Sequence, residues 1–403
     1  MWFVCQIGAR EHYAISRALH SEGELSALIT DFWIPPGSPV GRLPGARRLA
    51  DRYHPDLNDA RVDAPNLRML AFEATARFRK APIWDHIIAR NDLFQRQALR
   101  FLKKIPPPAA ADESPRVFSY SYAALEIFRE AKRRGWRTVL GQIDPGPGED
   151  ALVRKLREEN PAWAGAAEAS PPPGYWDRWR EECELADRIV VNSPWSRELL
   201  LKEGVPASKL EVIPLALDPG LSSPDSPARA RADADPIGFL FLGQAIVRKG
   251  IHDLVAAAEM LREGRWQIDV VGPHGPLPAD LPPCLHFHGA VPRSRTAAWY
   301  ARSDVFLLPT HSDGFALTQL EAMAHGLPVI ATPCCGEVVR DGVNGWVIPA
   351  GDPAALAERI RQISHHPAGL AAMSQAARHT AATFTLESIA RSLLGAPSAP
   401  CQP

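Results

Sequence analysis

The sequence predicts an α/β protein built from two wound parallel sheets. Short continuous apolar runs recur along both halves of the 403-residue chain, and such runs are typical of parallel strands covered by helices on both faces. Helical segments fall between these runs, as in repeated βαβ units. Residues 218–236 contain almost nothing that could be buried, so we expect a linker there between the two halves.

The N-terminal half, residues 1–217, begins with a strand, a loop and a helix. The apolar run Trp2–Ile7 predicts a strand, Gly8 ends it, and a helix is expected over Ala14–His20. The further strands predicted in this half are Leu25–Thr30, Val117–Tyr120, Arg137–Gln142 and Arg188–Val191. The further helices predicted are Ala71–Leu102, Ala123–Arg134 and Trp179–Ala186, and Pro145–Gly148 is predicted as a loop.

The C-terminal half, residues 237–385, restarts the same pattern. Ile237–Leu242 predicts a buried strand that ends at Gly243, and Gly250 leads into a helix over Ile251–Leu261. The further strands predicted are Ile268–Val271, Val305–Leu308 and Val329–Ala331, with helices at Arg295–Arg302 and Ala316–His325. A ligand is expected in the cleft between the two domains, at the carboxyl ends of the strands.

Composition excludes several classes of protein. The formal net charge is −1, which argues against a general nucleic-acid binder because those carry a basic excess. No apolar run approaches the ~18 residues of a membrane helix. The N-terminal residues show no basic leader or small-residue cleavage site, so no signal peptide is expected. The 6 cysteines contain no Cys-x-x-Cys pair and are expected to be free thiols in the cytoplasm.

Two carboxylates flank a predicted helix start in the C-terminal half. Asp313 precedes the helix that begins near Ala316, and Glu321 lies on that helix. The first amides of a helix are unpaired and favour an anion. Carboxylates on both sides of an anion site suit a nucleotide sugar, whose hydroxyl groups flank its diphosphate. The alternative is that Asp313 caps the helix and Glu321 is a solvated charge.

A pair of cations follows the first strand of the C-terminal half. Arg248 and Lys249 lie on the short loop before the predicted helix, where they could neutralise a diphosphate. Lys249 is the only lysine after Lys209 in a chain that otherwise uses arginine. The alternative is a solvated pair of charges on a loop.

These segments carry a resemblance to a known family. The blocks are Leu240–Gly250 (LFLGQAIVRKG), Ile268–Gly272 (IDVVG), Tyr300–Pro309 (YARSDVFLLP), Asp313–Thr332 (DGFALTQLEAMAHGLPVIAT) and Asp341–Gly345 (DGVNG). In this order and spacing, the chain resembles the retaining glycosyltransferases of family 4, the group 1 set with the GT-B fold. The resemblance covers about half of the chain well, and the first 180 residues only in outline.

The resemblance implies a fold and a role for each matching residue. Two Rossmann-like domains would face each other across a cleft, with the acceptor on residues 1–217, the donor on residues 237–385, and residues 386–403 packing back on the first domain. Asp313 and Glu321 match the family's two acidic positions, which contact the donor sugar and the ribose, and Lys249 matches its phosphate-binding lysine. The diphosphate would contact backbone amides near Gly314, Phe315, Ala316 and Leu317.

Two residues depart from the family pattern. Asp313 stands where the family has Glu, so its carboxylate is shorter by one methylene and is expected to reach a different hydroxyl or a more deeply placed sugar. Gln244, after Gly243, stands where the family has Arg, and Arg248 is the candidate to supply that charge.

The expected chemistry needs neither a metal nor a cofactor. Arg248, Lys249 and the helix start at Ala316 can stabilise the charge that develops on a leaving phosphate. The resemblance implies retention of anomeric configuration without a protein nucleophile. Asp233-Ala234-Asp235 looks like a metal-binding Asp-x-Asp signature, but it lies in the linker before a strand, so we interpret it as chance.

The acceptor side is less determined by the sequence. Gly8 allows close backbone approach after the first strand, and Arg10 and His12 follow it as candidates for binding an acidic group and for carrying a proton. Tyr120 ends another predicted strand and is a candidate for lining the cleft. Asp144 is the candidate to replace a histidine that the family often has after a middle strand.

The predicted function is transfer of a hexose-type sugar from a nucleotide diphosphate sugar to a glycan, a lipid-linked sugar or a small molecule. Surface polysaccharide or glycoconjugate assembly is the commonest setting of the family, in the cytoplasm or in peripheral contact with the inner face of the membrane. Two alternatives remain open, a nucleotide-sugar epimerase and a non-catalytic scaffold that binds sugar nucleotides. A dehydrogenase is disfavoured because no Gly-x-Gly-x-x-Gly follows either opening strand.

Overall fold

The fold was analysed in a computed structural model. It describes residues 1–42, 49, 52–79, 82–106, 114–163, 170–218, 220, 235–261 and 264–395. The predicted linker 218–236 and the tail 396–403 lie almost entirely outside the described residues, as do Asp233 and Ala234.

The N-terminal domain is a parallel sheet with helices on both faces. Its strands are β1 (Trp2–Gln6), β2 (Leu25–Thr30), β3 (Val62–Asp63), β4 (Arg116–Tyr120), β5 (Arg137–Gly141), β6 (Arg188–Val191) and β7 (Leu210–Val212). Its helices are α1 (Ala14–Ser21), α2 (Asn66–Arg79), α3 (Ile83–Leu102), α4 (Leu125–Arg133), α5 (Pro147–Glu159), α6 (Tyr175–Leu185) and α7 (Pro194–Lys202). The strand order is β3-β2-β1-β4-β5-β6-β7, and all neighbouring strands are parallel.

The C-terminal domain repeats this architecture. Its strands are β8 (Ile237–Leu242), β9 (Trp266–Val271), β10 (Leu285–Phe287), β11 (Val305–Leu308), β12 (Val329–Ala331) and β13 (Gly345–Val347). Its helices are α8 (Ile251–Glu259), α9 (Thr296–Ala301), α10 (Leu317–Ala324), α11 (Pro353–His365), α12 (Leu370–Ala382) and α13 (Leu386–Leu394). The order β10-β9-β8-β11-β12-β13 is again parallel throughout.

Each sheet reverses its strand order at one place. The chain moves outward from β1 to β3 and then returns to place β4 on the other side of β1; β8 and β11 have the same relation. The loops that leave the carboxyl ends of such a strand pair diverge and leave a crevice for a ligand. In this chain those loops carry residues 7–13, 121–124, 243–250 and 309–316.

Strand burial explains why the continuous apolar runs predicted strands correctly. β1 is buried at every position, and so is β11. Parallel strands covered on both faces have no solvated side, so apolar and polar residues do not alternate along their sequence. The predicted bounds of β2, β6, β8, β11 and β12 agree with the structure, and those of the other predicted strands differ by one or two residues.

One helix prediction and one loop prediction were wrong in detail. The single helix expected over Ala71–Leu102 is two helices, α2 and α3, with Pro82 immediately before α3. Proline disfavours helical geometry in the residue before it, so the first helix ends upstream. The predicted loop Pro145–Gly148 was also wrong at its end, because Pro147 and Gly148 form the first turn of α5, where proline needs no amide partner.

The last described helix returns to the N-terminal domain. Ile389, Ala390 and Leu393 of α13 share a buried cluster with side chains of β1 and α1. The Arg188 guanidinium donates a hydrogen bond of 2.8 Å to the carbonyl of Leu393. Among the described helices, none combines the length and apolar composition needed to cross a bilayer.

Gly250 allows the loop after β8 to approach the end of β11. Its φ is 73°, in the left-handed region, and a Cβ added to it would overlap the carbonyl oxygen of Pro309. Gly23 has a similar φ of 70°, but a Cβ there would meet nothing within 4 Å. Both glycines therefore adopt a conformation that strains other residues, but only Gly250 also lacks room for a side chain.

We expect Gly250→Ala to destabilise the protein far more than Gly23→Ala. In the control, Gly23→Ala, the only expected loss of stability is the strain of a non-glycine residue in the left-handed region, about 1 kcal/mol. Gly250→Ala adds an overlap with backbone that cannot move away as a side chain would, which costs roughly a further 1–3 kcal/mol. Thermal unfolding of both variants checks this difference, and equal melting temperatures would contradict the close approach.

Candidate active site

The loop after β8 presents two cations to the cleft. Arg248 and Lys249 lie in a single 3-10 turn, Val247–Lys249, that Gly250 ends. The Arg248 guanidinium donates a hydrogen bond of 2.7 Å to the carbonyl of Ser312. The Lys249 ammonium forms an ion pair with the Asp313 carboxylate. Of the two sequence-predicted cations, Lys249 is therefore in direct contact with the first predicted acid.

Burial affects the charge of Lys249. Removal from water, and then the neighbouring Arg248 guanidinium, lower the pKa of the Lys249 ammonium to about 7. The facing Asp313 carboxylate favours the charged form. An anionic ligand beside this amine would therefore also favour protonation.

Hydrogen bonds fix the loop that carries Asp313. The backbone N–H of His311 and the Thr310 hydroxyl both donate to the carbonyl of Arg248, at 2.9 and 3.0 Å. The backbone N–H of Asp313 donates to the carbonyl of Cys334 at 2.8 Å. These bonds position Asp313 through its backbone.

Helix α10 starts next to this loop with free amides. Its N-cap residue, Ala316, has a φ of 63° and makes no side-chain capping bond. Phe315 is buried and packs against Phe384, with ring centroids 5.9 Å apart. The Phe315 ring thus belongs to the core, and only its backbone is available to a ligand. Gly314 lies against the N-terminal domain, where a Cβ added to it would be 3.3 Å from the carbonyl oxygen of Ile143.

Glu321, the second predicted acid, lies further along α10. It accepts a hydrogen bond of 2.9 Å from the Tyr300 hydroxyl, and the Arg293 guanidinium lies 3.6 Å from its carboxylate. A small cavity between the domains is lined by Glu321 and Leu317 on one side and by Glu11 and His12 on the other. Glu321 therefore faces the loop after β1.

That loop adopts a strained turn. Glu11, His12 and Tyr13 are consecutive residues at φ values of 46°, 50° and 61°, a conformation that costs L-residues roughly 1–2 kcal/mol each. The Tyr120 hydroxyl donates a hydrogen bond of 2.7 Å to the Glu11 carboxylate. Burial raises the pKa of Glu11, and this hydrogen bond and the Arg10 charge oppose that shift.

The other N-terminal candidates have distinct environments. Gly8 donates its backbone N–H to the buried Asp31 carboxylate at 2.9 Å. The Arg10 guanidinium lies 5.8 Å from the centre of the Tyr120 ring. The Asp144 carboxylate accepts bonds from the Tyr122 hydroxyl at 2.5 Å and from the N–H of Gly146 at 2.8 Å.

Asp144 connects the two halves of the site electrostatically. Burial raises the pKa of Asp144, and the charges of Arg10 and Arg248, one from each domain, oppose that shift. In contrast, the side chain of Gln244 is exposed, on the loop where Gly243 follows β8.

Glu149 is a site residue that the sequence analysis missed. Its carboxylate accepts a hydrogen bond of 2.6 Å from the Ser312 hydroxyl and lies 3.6 Å from Arg248. The indole N–H of Trp195 donates to the same hydroxyl at 2.9 Å. Glu149 and Trp195 belong to the N-terminal domain, so this network joins the domains beside the two cations. The Pro-Gly-Pro-Gly segment before Glu149 predicted a loop there, but it did not indicate that Glu149 contacts the C-terminal domain.

A protein family model matches most of the C-terminal domain. The family described as "Glycosyl transferases group 1" matches residues 236–366, which include Arg248, Lys249, Asp313 and Glu321. Over these residues, the chain is similar to the group 1 glycosyltransferases. The resemblance seen in the sequence is thereby confirmed.

Curated relatives extend beyond this domain. The chain is 31% identical over 249 residues to the D-inositol 3-phosphate glycosyltransferase of Frankia alni, with 55% of this chain and 61% of that protein covered. It is 28% identical over 294 residues to the amylovoran biosynthesis glycosyltransferase AmsK of Erwinia amylovora, with 67% and 66% covered. The chain thus spans less than two thirds of the length of these relatives.

Solved structures match the whole chain in fold. Sucrose-phosphate synthase from Thermosynechococcus elongatus aligns with a TM-score of 0.64 at 20% identity, covering 98% of this chain and 97% of that one. HepE of Anabaena in complex with UDP aligns with a TM-score of 0.62 at 16% identity, covering 98% of both chains. The predicted GT-B fold of two facing Rossmann-like domains is confirmed.

We expect Tyr120→Phe to destabilise the protein in a pH-dependent way. The variant leaves the buried Glu11 carboxylate without its hydroxyl donor, which costs about 1–3 kcal/mol at neutral pH. Because burial already raises the pKa of Glu11, folding favours its protonated form, and stability falls as pH rises through the titration of this group. The loss in Tyr120→Phe should therefore shrink at acidic pH.

Urea unfolding of the variant and the wild type at several pH values measures this dependence. Tyr53→Phe is the matched control, since it removes a hydroxyl that donates to Asn58 near the surface. A loss independent of pH in Tyr120→Phe would contradict the role of Glu11.

Proposed function

We propose that this protein is a retaining glycosyltransferase that transfers a hexose-type sugar from a nucleotide diphosphate sugar to an acceptor. The acceptor is a glycan, a lipid-linked sugar or a small molecule, in surface polysaccharide or glycoconjugate synthesis at the cytoplasmic side of the membrane. Relatives named for inositol phosphate and for amylovoran support this class. HepE, a similar fold solved with UDP and with UDP-glucose, supports such a donor.

One observation carries the proposal. Two cations and the Asp313 carboxylate meet beside the start of α10, where the strand order of the C-terminal sheet reverses, and Glu321 lies further along that helix. This is the place where α/β sheets bind ligands. The cations and amides suit a diphosphate, and the carboxylates can accept hydrogen bonds from hydroxyl groups on either side of it.

The same groups supply the chemistry. Breaking the bond between the sugar and the diphosphate builds negative charge on the leaving phosphate. Arg248, Lys249 and the first amides of α10 are fixed before the reaction, so they stabilise that charge with little reorganisation. This account requires neither a metal ion nor a protein nucleophile, in keeping with the family's retaining reaction.

Lys249 and Asp313 would change partners when the donor binds. In the free protein they neutralise each other. A diphosphate competes for Lys249, and the freed Asp313 carboxylate can then accept hydrogen bonds from the sugar. Asp313→Asn should therefore keep UDP affinity but lower discrimination between donor sugars.

The acceptor would approach from the N-terminal domain. Asp144 and Glu149 place carboxylates opposite Arg248, where either can accept a hydrogen bond from an acceptor hydroxyl. Burial raises the pKa of both carboxyl groups, so each is closer to proton exchange near neutral pH than an exposed acid.

We expect Glu321→Ala to weaken nucleotide binding by about tenfold or more, a loss of about 1.4 kcal/mol, because the ribose loses its carboxylate acceptor. Isothermal titration with UDP, GDP and ADP and their sugar conjugates first identifies the preferred base and then measures the variant. Glu259→Gln, at the exposed end of α8, is the control and should bind as the wild type does.

Turnover tests the transferase itself. The preferred sugar nucleotide should be hydrolysed slowly without an acceptor, and it should still be hydrolysed in the presence of EDTA. Binding without any hydrolysis or transfer would contradict an enzyme, and release of an epimerised sugar would contradict a transferase.

We also expect donor binding at pH 8 to be accompanied by proton uptake. Burial and then the neighbouring Arg248 charge lower the pKa of the Lys249 ammonium in the free protein, whereas the bound diphosphate favours its charged form. Affinity should therefore fall as pH rises above 7. Titrations in buffers of different ionisation enthalpy measure the proton uptake.

Lys249→Arg is the matched variant, because arginine stays protonated throughout this range. It should bind the nucleotide without proton uptake at pH 8. Equal uptake in both proteins would place the titrating group elsewhere.

A further inference from the structure

Two stacked imidazoles and a carboxylate meet on the C-terminal domain, beside the candidate active site. The rings of His252 and His311 are 5.0 Å apart at their centres and inclined by 16°. The His311 Nε2 lies 2.6 Å from an oxygen of Asp253. One ligand atom from each of the three residues falls within 4.8 Å of the other two.

The His252 side chain lacks a hydrogen bond that its burial would demand. Only 12% of the side chain is exposed. Its Nδ1 is buried and has no hydrogen-bond partner within the part of the chain that the structure describes. Its Nε2 is 3.6 Å from Asp253, which is beyond hydrogen-bond distance. Buried polar groups are rarely left unpaired, and a bound ion is one partner that satisfies such a group.

The fold brings these residues together from distant parts of the sequence. His252 and Asp253 lie in the first turn of α8, directly after Gly250. His311 lies in the loop after β11, which Gly250 allows to pack closely. The backbone bond from His311 to Arg248 holds the ring next to α8. The three side chains therefore converge on well-fixed backbone.

We propose that His252, Asp253 and His311 bind a divalent transition-metal ion of the zinc class. Two imidazole nitrogens and one carboxylate oxygen are typical zinc ligands, and three protein ligands leave a coordination position for water. Bonds of about 2.0–2.2 Å place tetrahedral ligand atoms about 3.4 Å apart. To reach this spacing, the His311 Nε2 and the Asp253 oxygen, which are 2.6 Å apart, must separate slightly. The His252 ring must move closer to Asp253.

The protonation states suit metal binding. Burial lowers the pKa of His252, so its ring is neutral at pH 7, and a neutral imidazole is the form that binds metal. His311 gives up its bond to Asp253 when Nε2 becomes a ligand, and its ring proton then resides on Nδ1. The metal then lies between the His311 Nε2 and the Asp253 carboxylate, in the place of their hydrogen bond.

The chemistry of the ligands also selects among ions. Imidazole nitrogen suits Zn²⁺ and related transition metals, whereas Mg²⁺ prefers six oxygen ligands in octahedral geometry. The site is separate from the proposed transfer reaction, which uses Arg248 and Lys249. An ion bound here would instead fix α8 to the loop that carries Asp313.

Titration of the full chain with ZnCl₂ after removal of metal by EDTA tests the site. We expect one equivalent to bind and to raise the melting temperature, as any ligand specific for the folded state does, while MgCl₂ has no effect. His252→Ala and His311→Ala should each weaken zinc binding at least tenfold. His365→Ala, an exposed histidine of the same domain, is the control and should bind as the wild type does.

Asp253→Asn is a further variant that tests zinc binding in a protein expected to remain folded. It keeps the size of the side chain and a hydrogen bond to His311, so it should melt near the wild type and still lose zinc affinity. Unchanged zinc binding in the His252→Ala/His311→Ala double variant, or equal binding of Mg²⁺ by the wild type, would overturn the proposal. Neither outcome depends on glycosyltransferase activity.

Discussion

The reversal of strand order beside β1 and beside β8 is the constraint on which the rest of the molecule depends. Because all the strands are parallel, their carboxyl ends lie at one edge of each sheet, and the loops on either side of the reversal diverge. The two domains turn these edges toward each other. The left-handed turn at Glu11, the cations after β8 and the start of α10 lie at these two places, and the Asp144 loop follows β5, the strand next to β4.

Electrostatic pairing explains how such a site can exist in the free protein. Charged groups withdrawn from water are costly unless they have partners. Lys249 pairs with Asp313, Glu149 lies near Arg248, and the tyrosine hydroxyls bond Glu11 and Asp144. Most of these partners can also bind phosphate or hydroxyl groups, so a ligand replaces one set of polar contacts with another.

Strands were more predictable from the sequence than helix ends or domain contacts. A buried parallel strand such as β11 has apolar side chains at every position, so its sequence signal is local and complete. The break between α2 and α3 depended on Pro82 within an otherwise helical pattern. Glu149 gave no signal, because a glutamate at a helix start is ordinary and its partners, Ser312 and Arg248, belong to the other domain.

The sequence by itself determined the two-domain α/β fold and predicted the donor-side residues, because both are encoded in short segments. Lys249 follows a strand end, and Asp313 and Glu321 flank a helix start; each relation needs only local geometry. Only the tertiary structure decided which of these groups pair, that Glu149 faces Arg248 across the cleft, and that His311 stacks on His252. Those contacts join residues far apart in the chain, and their distances depend on how closely the backbone packs at positions such as Gly250.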